Sequence, residues 1–446
     1  MILITGLGPG DIARIPGPVL DLLLDPETHV IIRTRNHPAA EQIAALREVE
    51  FCDDLYLSGE TFEEVYSAIA DRVVEAGASG SVIYAVPGGP WLGEFAVREI
   101  LERGSDVQVL QGETFVDAIL SATGYDPFQR GLQIINGHDL PSPLIIDKPT
   151  IVGHLDRPEI LADVSAALSR VLPEGSKITV FSGLGGDDEC VVESEIDDVD
   201  SALAGFRTSL WIDAESGGIV GAIRTMGRLR SECPWDREQS HASLAKNLIE
   251  EAYELIDTFD EVEADPDDLV AYARVEEELG DVLLQVLFHA AIAGEAGAFD
   301  INDAAEVLRQ KLVRRHPHVF SDVEVADADE VKANWDEIKR LEKGVSSGSA
   351  MDGIPSGMPA IYRASKVQNR ANKAGIPTAS TEAVVARIKE SLLGIDGDSG
   401  QKGDVIGGAM FDLVDLARRS GLDAEHLLRT AVDRFEVDFR HEEHER

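Results

Sequence analysis

The sequence predicts a multidomain protein in which an N-terminal α/β domain is followed by all-α helical repeats. Three observations lead there. At 446 residues the chain is too long for one ordinary core, so two or three domains are expected. Its first half alternates short apolar, β-branched runs with helix-like stretches, punctuated by Gly and Pro, which is the pattern of parallel strands joined by crossover helices. Around Gly205–Gly218 the character changes, and from there apolar residues recur three and four apart, the spacing of a helix face.

Strands are expected at Met1–Thr5, Val30–Ile32, Ser81–Ala85, Asp106–Leu110, Leu132–Ile135, Leu144–Ile146 and Lys177–Phe181. Glycine-rich turns follow two of them, Gly6-Leu7-Gly8-Pro9-Gly10 and Pro87-Gly88-Gly89-Pro90. In the helical half, the Gly/Ser-rich stretch around Ser346–Gly348 reads as a linker and Gly394–Gly403 as a flexible loop between two helices. The charged end RHEEHER reads as frayed. Domains are therefore expected over 1–205, 217–345 and 354–446.

Charge narrows the partners. There are 82 acidic against 40 basic side chains, a net charge of −42, which argues against non-specific binding to nucleic acid or an anionic membrane. A polyanionic substrate must then be met by a local cluster of cations or by bound metal. The three cysteines are far apart and form no CxxC pair, so neither a zinc site nor a disulfide framework is expected. No signal peptide and no apolar run long enough to span a bilayer are read, and a cytoplasmic location is expected.

The stretch LIEEAYELIDTF, followed by VEEELGDVLLQVLFHAA, holds the most informative chemistry. On a helix, Glu251 and Glu254 share a face, as do Glu250 and Glu254; Glu278 and Asp281 are three apart on the next helix. Asp265-Pro266-Asp267-Asp268 between them signals a turn that folds the second helix back on the first. Leu248, Ile249, Leu255 and Ile256 flank the first set, and Leu279, Val282 and Leu283 the second, so the acids are not wholly outside. Crowded carboxylates repel one another, and a hard divalent cation is the natural compensation, with all-oxygen ligands suiting Mg²⁺ or Mn²⁺. In a chain this acidic, EExxE alone means little; its pairing with ExxD across a hairpin is the specific signal.

Four signatures occur in order: CPWDREQ at Cys233–Gln239, EEAYE at Glu250–Glu254, ELGD at Glu278–Asp281 and KLVRRHPHVF at Lys311–Phe320. Together they resemble the MazG family of nucleoside triphosphate pyrophosphohydrolases over roughly 125 residues. The resemblance implies cleavage of a nucleoside triphosphate between its α and β phosphates, releasing the monophosphate and pyrophosphate, in a nucleotide-pool cleansing role. It implies Glu251, Glu254, Glu278 and Asp281 as metal ligands, and Glu250 as a further ligand or the residue that positions water. Glu250, Glu251 and Glu254 are the expected catalytic carboxylates. Lys311, Arg314 and Arg315 form the densest basic cluster of the domain, suited either to gripping phosphate or to capping a helix before Pro317. Lys246 lies one turn before Glu250. Trp335 and Lys339, four apart, are implied to approach the nucleotide, with core packing an equal reading of Trp335. Cys233–Asp236 reads as a structural turn with Trp235 buried, and His241 and His289 as packing or surface residues. A two-helix hairpin buries little alone, so a homodimer or higher oligomer through these helices is expected.

The first half has its own resemblance. ITGLGPGD at Ile4–Asp11, YAVPGGPWLGEFAV at Tyr84–Val97 and GETFVDAILSATGYDPFQRGLQIINGHDL at Gly112–Leu140 resemble tetrapyrrole (corrin/porphyrin) methylases, in the version fused ahead of MazG. This implies S-adenosylmethionine near Gly8, Pro87, Gly88, Gly89, Gly112 and Thr114. Where the methylases carry a GDP-type triplet, this chain has Pro87-Gly88-Gly89-Pro90, and the missing aspartate leaves three readings open: a methyltransferase, a nucleotide- or S-adenosylmethionine-binding regulator, and a scaffold. IPSGMPAIYRASKVQNRANKAGIP at Ile354–Pro377 resembles the start of a second MazG repeat. It keeps Glu390 but has Val405-Ile406-Gly407-Gly408 in place of ELGD, so it is expected to be catalytically inactive.

Overall fold

The structure is a computed structural model that describes residues 1–59, 61–342, 349–376, 379–393 and 399–444, without the side chains of 333, 336, 339, 340 and 399–401. The first sheet orders its strands β3-β2-β4-β1-β5, where β1 is Ile2–Gly6, β2 His29–Ile32, β3 Glu50–Phe51, β4 Val82–Val86 and β5 Val107–Val109. Every pairing in it is parallel, as expected. Helices α1 (Gly17–Leu24), α2 (Pro38–Leu46), α3 (Asp53–Ser58), α4 (Phe62–Ser79) and α5 (Phe95–Arg103) join these strands.

Strand side chains alternate between two cores. Ile2, Ile4, Ile31, Val82, Tyr84 and Val86 pack with Val65, Ile69 and Val73 of α4 and Ala96, Val97 and Ile100 of α5. Leu3, Val30, Ile32, Ile83 and Ala85 pack on the opposite face with Val19 and Leu23 of α1 and Ala39, Ala40 and Ile43 of α2. A parallel strand covered on both faces must be apolar at successive positions, which is why these runs read as continuous rather than alternating. Each fully buried aliphatic side chain contributes about 1.5–3 kcal/mol of transfer free energy.

The second sheet departs from expectation. Its order is β6-β7-β10-β8-β9, with β6 at Gln133–Asn136, β7 at Thr150–Gly153, β8 at Lys177–Ser182, β9 at Cys190–Glu195 and β10 at Thr208–Ile212. Only β6 and β7 are parallel; β10 runs antiparallel to β7 and β8, and β9 antiparallel to β8. The expected strand at Leu144–Ile146 is not one. Pro143 immediately precedes it, and the Ile145 carbonyl accepts from Gln133 Nε2 at 3.1 Å, a side-chain rather than a strand partner, while Ile146 still reaches the core. β10 lies beyond the expected domain end at 205 and is fully buried at the middle of the sheet. Helices α6 (Phe115–Thr123), α7 (Pro127–Arg130) and α8 (Pro158–Ser169) complete this part, with Leu161, Val164 and Leu168 of α8 in its core.

Helices follow: α9 (Gly218–Glu232), α10 (Pro234–Glu238), α11 (His241–Ala264), α12 (Leu269–Glu295) and α13 (Ile301–Arg315). Gly217 N–H donates to the Val171 carbonyl at 3.1 Å, tying the start of α9 to the end of α8. Trp235 is 59% exposed, contrary to expectation, and only its edge meets Phe288. The inward residue of that turn is Asp236, whose carbonyl accepts from the Arg230 guanidinium. Arg230 also forms a bidentate pair with Glu295 at 2.6–2.7 Å, locking α9 to the end of α12.

The chain divides into two compact bodies, Met1–Ala305 and Glu306–Arg446. The second contains most of α13, then α14 (Pro317–Phe320), α15 (Ala328–Glu342), α16 (Ala360–Lys373), α17 (Thr381–Leu393), α18 (Ser399–Arg419) and α19 (Ala424–His444). The linker read around Ser346–Gly348 lies outside the described residues. So does the first part of the loop read at Gly394–Gly403, whose remainder is the start of α18 rather than a loop. RHEEHER, read as frayed, is helical as far as His444. Among the described residues no helix is long and apolar enough to cross a membrane.

Three loop starts converge at the top of the first sheet. A Cβ added to Gly6 would lie 2.0 Å from the Gly88 carbonyl oxygen, and one on Gly112 would lie 2.9 Å from Gly6 Cα. Backbone cannot step aside as a flexible side chain can, so Gly6→Ala should destabilise the protein by on the order of 1–3 kcal/mol. Gly17→Ala, with nothing within 4 Å of the new methyl, should cause no loss. Thermal unfolding followed by circular dichroism compares the two.

Candidate functional site

α11 begins at a capping box, Ser240 with Ser243, and runs to Ala264. After the Asp265–Asp268 turn, the Asp268 side chain accepts from Val270 N–H and starts α12. The two helices pack along their length as the expected hairpin, with Leu244 of α11 and Leu287 and Phe288 of α12 in one apolar cluster with Met226 of α9. Arg274 closes the turn end on Glu261 at 2.6–2.7 Å.

This packing brings Glu251 and Glu254 of α11 to Glu278 of α12. One carboxylate oxygen from each lies within 4.8 Å of the others. Glu251 and Glu278 are half-buried and Glu254 is exposed. Glu278 Oε2 is buried with no hydrogen-bond partner among the described residues. Burial, then the charges of Asp281, Glu254, Glu250 and Glu278, push the Glu251 carboxyl above its ordinary range. Burial, then Glu254, Asp281 and Glu277, do the same to Glu278. Asp281 is not one of the three clustered groups, but its charge reaches both. Glu250 is exposed beside Glu251.

An oxygen-rich cluster with an unpaired buried carboxylate oxygen, and with the Glu251 and Glu278 carboxyls raised, fits a divalent cation. Oxygen donors at this spacing suit Mg²⁺ or Mn²⁺ rather than a thiolate- or imidazole-seeking metal. Among the described residues this is the group of three clustered metal-ligating side chains. In the segment expected to be a second repeat, Val405–Gly408 lies within α18 without an acid, and Glu390 is exposed on α17.

The expected phosphate-binding cations are only partly gathered. Lys246 is exposed on α11, one turn before Glu250. Lys311, Arg314 and Arg315 lie in the last turns of α13. Arg314 Nε donates to Glu342 Oε1 at 2.6 Å, and Arg315 pairs with the other oxygen of the same carboxylate. These two arginines hold the Glu342 carboxyl down at about 2. Glu342 could not have been foreseen, because only folding places α15 on α13. Trp335 meets the His316 ring edge-on at 4.7 Å, and the Arg315 guanidinium lies 5.7 Å from the Trp335 ring centre. The Lys339 side chain lies outside those described.

A pairing that sequence reasoning missed joins the two helices of the hairpin: His241 and His289 stack at 5.0 Å, their Nδ1 atoms 2.8 Å apart. One ring must donate and the other accept, so the pair requires at least one neutral imidazole. The signal lay in register alone, since neither histidine neighbours the other in sequence.

The N-terminal domain holds a cavity at the glycine loops read as a cofactor site. Gly8 and Gly88 exchange backbone hydrogen bonds at 3.0 and 3.2 Å. Both have positive φ, 75° and 65°, which glycine adopts without strain. A Cβ on Gly89 would lie 2.5 Å from Thr114 Cγ2, so Gly112 and Thr114 back the turn that Pro87–Gly89 makes. Thr114 is itself committed to capping α6 through a capping box with Asp117. A cavity of about 120 Å³ opens beside these loops, lined by Gly8 and Pro87–Gly89 but also by Arg33, His37, Glu94 and His154.

Comparison with known proteins places the chain. Residues 239–320 match the MazG nucleotide pyrophosphohydrolase domain. The uncharacterized protein YabN of Bacillus subtilis is 34% identical over 383 residues, covering 82% of this chain and 76% of that protein. The nucleoside triphosphate pyrophosphohydrolase/pyrophosphatase MazG of Thermotoga maritima is 40% identical over 222 residues, 49% of this chain and 82% of that protein. The nucleoside triphosphate pyrophosphohydrolase of Escherichia coli K12 is 38% identical over 229 residues, covering 49% and 84%. Among solved structures, uroporphyrin-III-C-methyltransferase from Thermus thermophilus aligns over 54% of this chain and 98% of its own at 19% identity and a TM-score of 0.37. With its family domain on the α11–α12 hairpin and relatives this similar over most of their own length, the chain belongs to the MazG family.

Proposed function

We propose that the hairpin of α11 and α12 hydrolyses nucleoside triphosphates to the monophosphate and pyrophosphate, using a divalent cation held by Glu251, Glu254, Glu278 and Asp281. The observation that carries this is the convergence of three carboxylate oxygens within 4.8 Å, one of the carboxylates having a buried, unpartnered oxygen. Bound Mg²⁺ or Mn²⁺ supplies neutralisation of phosphate charge and polarisation of the scissile anhydride. Glu251, Glu254 and Glu278 would hold that cation, which would supply a fixed positive charge for the triphosphate. Glu250, exposed and next to Glu251 in sequence, accepts a proton from the attacking water in this reading. Lys246 offers charge to the phosphates from the same helix. Lys311, Arg314, Arg315 and Trp335 are the residues read as gripping a nucleotide, and Glu342 pairs with both guanidinium groups.

Two supporting readings follow. The hairpin pairs with a second copy of this chain, since Ile249, Leu279, Leu283 and Val286 leave apolar surface exposed on both its helices. The N-terminal cavity takes S-adenosylmethionine: positive-φ backbone at Gly8 and Gly88, a crowded Gly89, and buried polar atoms lacking partners fit an organic ligand with polar ends.

Incubation with several nucleoside triphosphates and Mg²⁺ should release pyrophosphate and monophosphate in equal amounts. Glu251→Gln and Glu254→Gln should each lower the rate by at least about 10²-fold, the loss typical of removing one group that stabilises transition-state charge. Wild-type rates in either variant would remove the cation assignment.

A stability measurement tests the cation separately. Glu251 and Glu278 have raised pKa values when folded. Such groups favour folding below the unfolded carboxylate range, near pH 4, and lose that contribution as pH rises through their folded values. At neutral pH the crowded carboxylates therefore oppose folding, and a cation removes the penalty. Mg²⁺ or Mn²⁺ at 100 times its dissociation constant should add about 2.7 kcal/mol. Calorimetry should show this gain at pH 7.5, a smaller one at pH 5, and little in Glu278→Gln.

A further inference from the structure

The N-terminal cavity contains unmet chemistry that its glycine loops do not explain. Glu94 is the one acid among the residues that line it, and its side chain is 4% exposed. It occupies the N-cap position of α5, yet makes no capping hydrogen bond. Its nearest cation, Arg33, stands 3.5 Å away, and Glu94 Oε2 has no hydrogen-bond partner among the described residues. Arg33 Nε is likewise buried and unpartnered.

His37 completes the group. Its Nε2 lies 3.0 Å from the Gly8 carbonyl, an acceptor, so Nε2 carries the proton. Nδ1 is then an acceptor, and it too is buried without a partner. Burial lowers this imidazole to about 4, so it is neutral at physiological pH. Three residues that line the cavity thus carry two unsatisfied acceptors and one unsatisfied donor, all buried. A buried polar atom left unpaired opposes folding, and a ligand group that pairs with it removes that penalty. The cavity, about 120 Å³, exceeds the roughly 10–15 Å³ that a single water requires on the same kind of measure.

We infer that Glu94 and His37 receive the ammonium group, and Arg33 the carboxylate, of the amino-acid end of S-adenosylmethionine, so that Glu94 supplies the acid missing from the Pro87–Pro90 turn. This rests on the reading of the cavity as an S-adenosylmethionine site. An α-amino acid end matches the wall group for group: three N–H donors for Glu94 and His37, and a planar anion for the guanidinium.

A proton accompanies this binding. Burial raises the Glu94 carboxyl to about 7, with Arg33 opposing. Tyr56, Tyr66 and Tyr84 also sense Glu94, and all three are pushed up and remain neutral at pH 7. His154, lowered by burial and by Arg33, adds no charge there. Near neutral pH, Glu94 is thus partly protonated, and an arriving ammonium makes it ionise and release that proton.

Calorimetric titration of the intact protein at pH 7, in phosphate and in Tris, tests this with two ligands. S-adenosylmethionine should bind with net proton release, seen as a buffer-dependent heat. 5′-Methylthioadenosine, which lacks the amino-acid end, should bind without it. Glu94→Gln should weaken S-adenosylmethionine at least tenfold, abolish the proton release and leave 5′-methylthioadenosine unchanged. The proton release is read on the wild-type chain, so a poorly folded variant does not end the test. S-adenosylmethionine bound without proton release, or equally tightly by a folded Glu94→Gln, overturns the role of Glu94 while keeping the ligand. No binding of S-adenosylmethionine to the wild-type chain overturns the reading beneath it.

Discussion

Electrostatic repulsion among Glu251, Glu254 and Glu278 is the constraint on which the helical part turns. Three carboxylates within 4.8 Å oppose the packing that creates them, and that packing must be supplied from elsewhere. It comes from the apolar seam of Leu244, Leu287, Phe288 and Met226 and from the Arg230–Glu295 pair at the far end of α12. The scaffold holds the acids; the acids do not hold the scaffold. Such an arrangement stores binding energy for a cation, because the cation removes a repulsion already present in the fold.

The N-terminal domain has a comparable tension in another form. Its loops approach so closely that Gly6, Gly89 and Gly112 have no room for a side chain, and the cavity beside them leaves Arg33, His37 and Glu94 each with an unpaired buried atom. Both sites lie where local preferences are overruled: helices crowd like charges in one, and a core excludes water from polar groups in the other. Departures of this kind from otherwise consistent packing tend to mark function.

Much of this was legible in the sequence. The parallel sheet followed from apolar runs and glycine turns, because a strand covered on both faces has no polar side. The hairpin followed from acids at helical spacing on either side of Asp265–Asp268. The second sheet was harder. β10 is a five-residue run at the boundary where helical spacing begins, and its antiparallel partners are distant in sequence. Trp235 was read as buried within a structural turn; the α10 turn instead aims Asp236 inward. The segment at Gly394–Gly403 looked like a loop from its glycines, yet α18 begins at Ser399.

What the sequence alone determined was periodicity, and with it the kinds of elements and which residues share a face. Glu251 with Glu254, and Glu278 with Asp281, were set by the helical repeat before any folding. Only the tertiary structure decided how faces meet. It put Glu278 rather than Asp281 into the closest group with the α11 acids, bound Arg314 and Arg315 to Glu342, stacked His241 on His289, and left Glu94 buried beside an N-terminus that it does not cap. The reason is physical: spacing along a helix is local geometry, whereas these pairings depend on the rotation and depth at which elements pack, which the whole core settles at once.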